Sequence, residues 1–247
     1  MSETVWRFAR SACVALWAFA SPAMANTING APLIPEPLVF DMIRPLASPR
    51  GKIEANTLVL APLAASEEQV DGAAEVKFSF ADGWGAEFDV PFEDERHLGY
   101  TVALQGTFGT FANKRAVHGF QAIAIRQNQT GQIDASLLYI VGMRYSRRWS
   151  SLSMIGINRS PTGLVPGVPR DYKLLLNNTV FNDVGPNTIV GIETNIRAGD
   201  RSTEWLVMPQ VHQRLSKRIM MLVGVGVQKP ALRPAHPTLA IRLTREF

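Results

Sequence analysis

The last ten residues, TLAIRLTREF, alternate apolar and polar and end on an aromatic side chain. Leu239, Ile241, Leu243 and Phe247 share one parity, and Ala240, Arg242, Thr244 and Glu246 share the other. In an extended chain these two sets point to opposite faces. One face is oily; the other carries both signs of charge. A strand buried on both faces would read as a continuous apolar run instead.

The same pattern recurs upstream. In 73–81, Ala74, Val76, Phe78 and Phe80 oppose Glu75, Lys77 and Ser79. In 84–92, Trp84, Ala86, Phe88, Val90 and Phe92 oppose Glu87 and Asp89, and in 187–197, Val190, Ile192 and Ile196 oppose Glu193, Asn195 and Arg197. Segments of this kind, separated by turn signals, fall at 53–61, 73–81, 84–92, 98–108, 117–127, 135–145, 149–159, 172–181, 187–197, 203–214, 218–228 and 238–247. Residues 149–159 and 172–181 fit either register. Pro209 interrupts the ladder within 203–214, which predicts a bulge or an edge.

No stretch after residue 25 is long and apolar enough for a membrane-crossing helix, which needs ~20 residues. Oily stripes without such a helix leave one solution in lipid. The sheet must close so that no backbone donor or acceptor is stranded in hydrocarbon. The predicted fold is an all-β, transmembrane, antiparallel up-and-down β-barrel of about twelve strands. An even count returns both ends of the barrel to one side. Short connections fall on that side and long ones opposite, except that Gly109–Ala116 is long for its side and Gly199–Ser202 short.

Three domains follow. Residues 1–25 read as a signal peptide: Arg7 and Arg10 precede an apolar run from Ala12 to Ala20, and Ala23-Met24-Ala25 supplies a small-x-small cleavage site. Residues 26–50 form a proline-rich segment, with Pro32, Pro35, Pro37, Pro45 and Pro49 unable to donate to a ladder. It lies either in the periplasm or in the lumen, and Leu38–Ile43 is its part expected to be ordered. Residues 51–247 form the barrel. Cys13, the single cysteine, lies in the leader, so the expected mature chain has neither disulfide nor thiolate chemistry.

A chain that ends on a strand-terminal Phe behind an export signal resembles a Gram-negative outer-membrane barrel. There the final strand is also read by the insertion machinery. EVKFSFADGWGAEFDVPF, with VGIETN, LVMPQVH and RLTREF, resembles Gram-negative outer-membrane β-barrel proteins grouped loosely with the MetA-pathway phenol-degradation and transporter barrels. The likeness spans most of residues 51–247 and is most specific at the Asp82-Gly83 hairpin. It implies a porin-like channel or transporter for small solutes, located in the outer membrane among its lipids.

If these registers hold, the lumen is lined by Glu54, Asn56, Glu75, Lys77, Glu87, Asp89, Arg144, Glu193, Asn195, Arg197, His212, Arg242 and Glu246. Mixed charge of this kind can line a wet path or lock into a plug of ion pairs, and the sequence leaves both open. It argues against a strongly anion-selective wall. Trp84, Trp149 and Trp205 each lie beside a turn at a strand start and, with Phe247, read as an aromatic girdle at headgroup depth. Lys114-Arg115, Arg147-Arg148 and Lys217-Arg218 fall on three turns of the short side, as headgroup ligands or as plain solubilising charge.

Catalysis has little support. Lipid-modifying barrels resemble one another in a His-x-Ser pair, and none of His97, His118, His212 and His236 has serine two residues on. No ligand-spaced cluster predicts a metal or cofactor, and Glu67-Glu68 with Asp71 reads as a solvated acidic loop before a cation site. The net charge of +4 comes without a basic block, which gives no nucleic-acid surface. A secreted soluble β-sandwich or ligand-binding barrel, with polar outward rows and apolar inward ones, is the remaining alternative.

Overall fold

Alternation of this kind closes a sheet only if every strand finds two partners, and twelve strands do. The computed structural model describes residues 27–28, 30–40, 42–63, 69–160, 171–200, 202–231 and 233–247. The predicted signal peptide and Glu67-Glu68 lie outside these residues. The barrel strands are β1 (Ile53–Pro62), β2 (Asp71–Ala81), β3 (Trp84–Glu93), β4 (Gly99–Phe111), β5 (Ala116–Gln127) and β6 (Ile133–Arg144). They continue with β7 (Trp149–Ser160), β8 (Asp171–Asp183), β9 (Thr188–Gly199), β10 (Thr203–Arg214), β11 (Ile219–Lys229) and β12 (His236–Glu246). Each pairs antiparallel with its sequence neighbours, and β12 pairs with β1 over Glu246↔Glu54 to Thr238↔Pro62. The sheet is closed. Phe247 N–H adds a last bond to Ile53 O at 3.0 Å.

The faces sort as the oily and polar parities require. Phe78, Phe88, Val102, Ile155, Leu174, Val225 and Ile241 are exposed on the outside of the barrel, whereas Glu75, Lys77, Glu87, Glu193 and Arg242 are buried. A soluble sandwich would show the reverse. The outer surface therefore demands an apolar medium. The two strands of ambiguous register resolve with Leu152 and Met154 of β7 and Leu175 and Phe181 of β8 buried inside.

Two local departures have physical causes. The long connection expected after Gly109 shortens because β4 bulges between Thr107 and Gly109 and runs on to Phe111. The remaining turn places Ala112, Asn113 and Lys114 at positive φ. Pro209 makes neither a bulge nor an edge, which corrects the expectation. The β10–β11 ladder lapses between Val207↔Val227 and Gln210↔Gly224 and resumes without a register shift. Gly224 and Gly226 allow the close approach there; a Cβ on Gly226 would lie 2.1 Å from Val207 O.

Candidate functional site: the lumen and its occupant

Residues 30–40 and 42–50 run through the barrel, against its inner wall. Few of their backbone groups bond to one another, as five prolines in an extended segment require. The wall supplies the partners instead. Glu193 accepts three successive backbone N–H groups: Leu38 and Val39 at 2.9 Å on Oε2 and Phe40 at 2.6 Å on Oε1. Asn195 Nδ2 donates to the same carboxylate at 2.7 Å. Lys77 Nζ donates to Met42 O at 2.7 Å, Gln105 Nε2 to Arg44 O at 2.7 Å, and Arg144 Nη2 to Leu33 O at 2.6 Å. Ala47 N–H donates to Thr107 Oγ1 at 2.8 Å. Most of these contacts address the main chain of the segment, whose own side chains do the packing.

That packing divides in two. Ile34, Met42, Leu46 and Ala47 join Val117, Leu138, Ile140, Leu152, Met154, Leu175 and Phe181 in one cluster. Leu38 joins Leu58, Leu206, Met208, Leu222 and Ala240 in another. The seat for Leu38 exists because position 224 is glycine: a Cβ there would meet Leu38 Cδ2 at 2.7 Å. Leu38 and Ile43 have no exposed surface at all.

The predicted lumen residues take the following places. Glu54 pairs with Arg44 at 2.7 Å. Lys77 lies 3.2 Å from Glu75 and 3.6 Å from Glu87. Arg242 approaches Glu75 at 4.0 Å, and Asn56 Nδ2 donates to Glu75 at 3.2 Å. Arg144 pairs with Asp183 at 2.8 Å. Glu246 pairs with Lys52 at 2.6 Å and meets Arg44 at 3.5 Å. Asp89, Asn195 and Arg197 line a cavity, and Arg197 also meets Glu204 at 3.6 Å. His212 is buried edge-on to Phe181. Trp84, Trp149 and Phe247 lie at the short-turn end and Trp205 at the long-loop end.

Sequence reading missed Arg44, Gln105, Gln121, Thr101 and Asn177, all buried. Thr101 and Gln105 share a parity within β4, and that alternation was available. Arg44 could not be found this way, because its segment has no strand periodicity.

Two cavities flank the segment. The one toward the long loops holds about 780 Å³ and is floored by Val39 and Phe40. Glu75, Glu87 and Asp89 stand on one side of it, Arg197 and Lys229 on another, and Ile123, Ile125 and Leu175 between. The one toward the short turns holds about 760 Å³, with Glu36, Arg44, Arg144, Arg214 and Arg242 among its walls. Among the described residues, no lining side chain is common to both. Residues 33–40 and 42–47 are the partition. Glu36 faces the second cavity from the segment itself. Burial, and then the nearby Glu54 carboxylate, push its pKa up to about 8 against the pull of Lys77, Arg44 and Arg242.

Among the described residues, the histidines have other partners than serine. His97 meets Gly99 O and Asn128, His118 meets Tyr139 OH at 2.7 Å, and His236 meets Thr238 Oγ1 at 3.2 Å.

The sequence matches no family model and no curated protein. Solved structures do match. A KdgM porin aligns with a TM-score of 0.60 at 8% identity, over 78% of this chain and 99% of that one. A NanC porin aligns with a TM-score of 0.62 at 7% identity, over 78% and 98%. A KdgM porin in complex with a disordered oligogalacturonate aligns at 0.55 and 10% identity, over 79% and 98%. The chain has the fold of these porins.

Proposed function

We propose that the protein is a passive outer-membrane channel for small solutes, closed at its waist by its own N-terminal segment. The observation that carries this reading is the pair of cavities in line along the barrel, parted by a single stretch of chain. An apolar exterior, a charged interior and the porin fold support it. Export by cleavage after Ala25, and recognition of the final strand by insertion machinery, complete the reading.

The wall of the upper cavity also favours a second reading. Ile123, Ile125 and Leu175 form an apolar strip beside the charges. Such a wall suits amphiphilic solutes such as phenols. Liposome flux of a phenol against a sugar of similar size separates the two.

Conductance of the purified protein in planar bilayers tests the channel itself. Brief openings between long closures are expected. A pair of cysteines at Ala47→Cys and Thr107→Cys, whose parent groups are hydrogen-bonded, should abolish them when oxidised and restore them when reduced. Silence in both redox states, and in variants that free the segment, would make the barrel a binding or structural protein.

A further inference from the structure

Three turns at the short-turn end each carry a pair of adjacent cations in the same place. Lys114-Arg115 close the turn between β4 and β5, Arg147-Arg148 that between β6 and β7, and Lys217-Arg218 that between β10 and β11. In two of them the backbone repeats as well. Tyr145 and Ser146 N–H both donate to Trp149 O, and Leu215 and Ser216 N–H both donate to Ile219 O. Ser146 and Ser216 hydroxyls accept from the N–H of Arg148 and Arg218, at 3.3 and 3.2 Å. A rigid serine turn thus holds each pair at the same corner.

All six cations are exposed, and none makes an ion pair among the described residues. The acids at this end are engaged elsewhere: Asp183 by Arg144, Glu246 by Lys52, and Asp82 by the Arg50 N–H. Plain solubilising charge has no need of one sign. The long-loop end mixes Glu93, Asp94 and Glu95 with Arg96 in a single connection.

Depth is set by what adjoins these corners. Phe111, Tyr145, Trp149 and Leu215 flank them and are exposed, and the Arg245 guanidinium lies 4.9 Å from the centre of the Phe247 ring. Exposed aromatics mark the boundary between acyl chains and headgroups. Cations one residue beyond that boundary lie at the level of lipid phosphates.

We propose that this rim is a binding site for anionic phospholipid headgroups of the leaflet facing the short turns, with phosphatidylglycerol-like lipid held at each dibasic corner. The proposal rests on the barrel spanning a membrane, and is independent of whether it conducts. The test uses the chain from Asn26 onward with Trp84→Phe and Trp205→Phe, so that Trp149 is the reporter. It is reconstituted in phosphatidylcholine vesicles containing brominated phosphatidylglycerol or brominated phosphatidylcholine, and quenching gives the relative affinity at Trp149. A preference for the anionic lipid of about 10-fold is expected at low salt, falling toward unity in high salt. Replacing all six cations with glutamine should remove the preference and leave the quenching. Equal quenching by both lipids in the parent would overturn the proposal alone. Quenching by neither would place Trp149 away from lipid and overturn the membrane reading with it.

Discussion

The two halves of the inner wall differ in what they offer the N-terminal segment. Strands β5 to β8 turn Val117, Leu138, Ile140, Leu152, Met154 and Phe181 inward. Strands β1 to β3, with β9, β10 and β12, turn in Glu54, Lys77, Glu87, Glu193, His212 and Arg242. The N-terminal segment meets both. Ile34, Met42, Leu46 and Ala47 pack on the first half and Leu38 on the second, while the Leu38–Phe40 amides, the Met42 carbonyl and the Arg44 guanidinium are read by the second. Apolar contact stabilises the segment but tolerates sliding, because burial has no direction. Hydrogen bonds to fixed amides and carbonyls set the register. The apolar half supplies most of the adhesion, and the ionic half most of the bonds that fix position.

This division is easiest to break on the ionic side. Lys77 has no exposed surface and holds Glu75, Glu87 and the Met42 carbonyl together. Lys77→Met keeps the bulk but removes the shared cation from two buried carboxylates. The expected loss of barrel stability is about 3–5 kcal/mol, read from urea unfolding in detergent micelles. A loss no larger than that of a conservative core substitution would mean that the ionic wall is hydrated and not structural.

Glu193 comes next. Glu193→Leu strands the N–H groups of Leu38, Val39 and Phe40, at about 1 kcal/mol or more apiece. Here the barrel should survive and the segment should leave its seat. Open probability in bilayers is expected to rise by roughly two orders of magnitude, since 1.4 kcal/mol is about tenfold. Glu193→Gln, which keeps one acceptor oxygen, should rise less. An unchanged open probability in both would show that the apolar half holds the segment alone.

On the apolar side the same experiment should give little. Ile140→Val removes one methylene from a fully buried site and is expected to cost about 1 kcal/mol, with no change in gating. A gating change equal to that of Glu193→Leu would erase the distinction between the halves.

The same division explains what the sequence disclosed. Where lipid lies outside and ions inside, as in β2, β3, β9 and β12, alternation was plain and the parity assigned to each residue matches its place in the barrel. In β7 and β8 the segment inside is as apolar as the lipid outside. Leu152 and Ile155, or Leu175 and Leu176, then carry no contrast between faces, and the register was ambiguous for that reason. The prolines pointed to a segment apart from the barrel ladder, and within its described residues only Thr27–Ile28 and Ala31–Pro32 pair with each other. The prolines could not show where such a segment goes, because its seat is built by side chains of distant strands: Glu193 lies 155 positions from Leu38. The cavity residues follow the same rule, legible by parity on strands and illegible for Arg44 and Glu36.

The smallest effect expected comes from Glu36, which sits where the segment faces the lower cavity. Glu54, Lys77 and Arg242 of the wall and Arg44 of the segment itself face it. With the segment seated its pKa is raised to about 8, against an ordinary value of 4.5 once released. Below 4.5 the carboxyl is protonated in both states and seating is unimpaired. Between 4.5 and about 8 the seated form keeps a proton that the released form gives up, so seating weakens steadily as pH rises. Above about 8 the carboxylate is ionised beside Glu54 and the whole penalty is present. Open probability should therefore climb from about pH 5 to about pH 9, by far less than the full shift would give because Glu36 retains contact with the hydrated cavity. Glu36→Gln should flatten that climb and hold the channel in its low-pH behaviour. A steeper climb in Glu36→Gln than in the parent would assign the titration to another group and leave the segment's seating independent of this carboxyl.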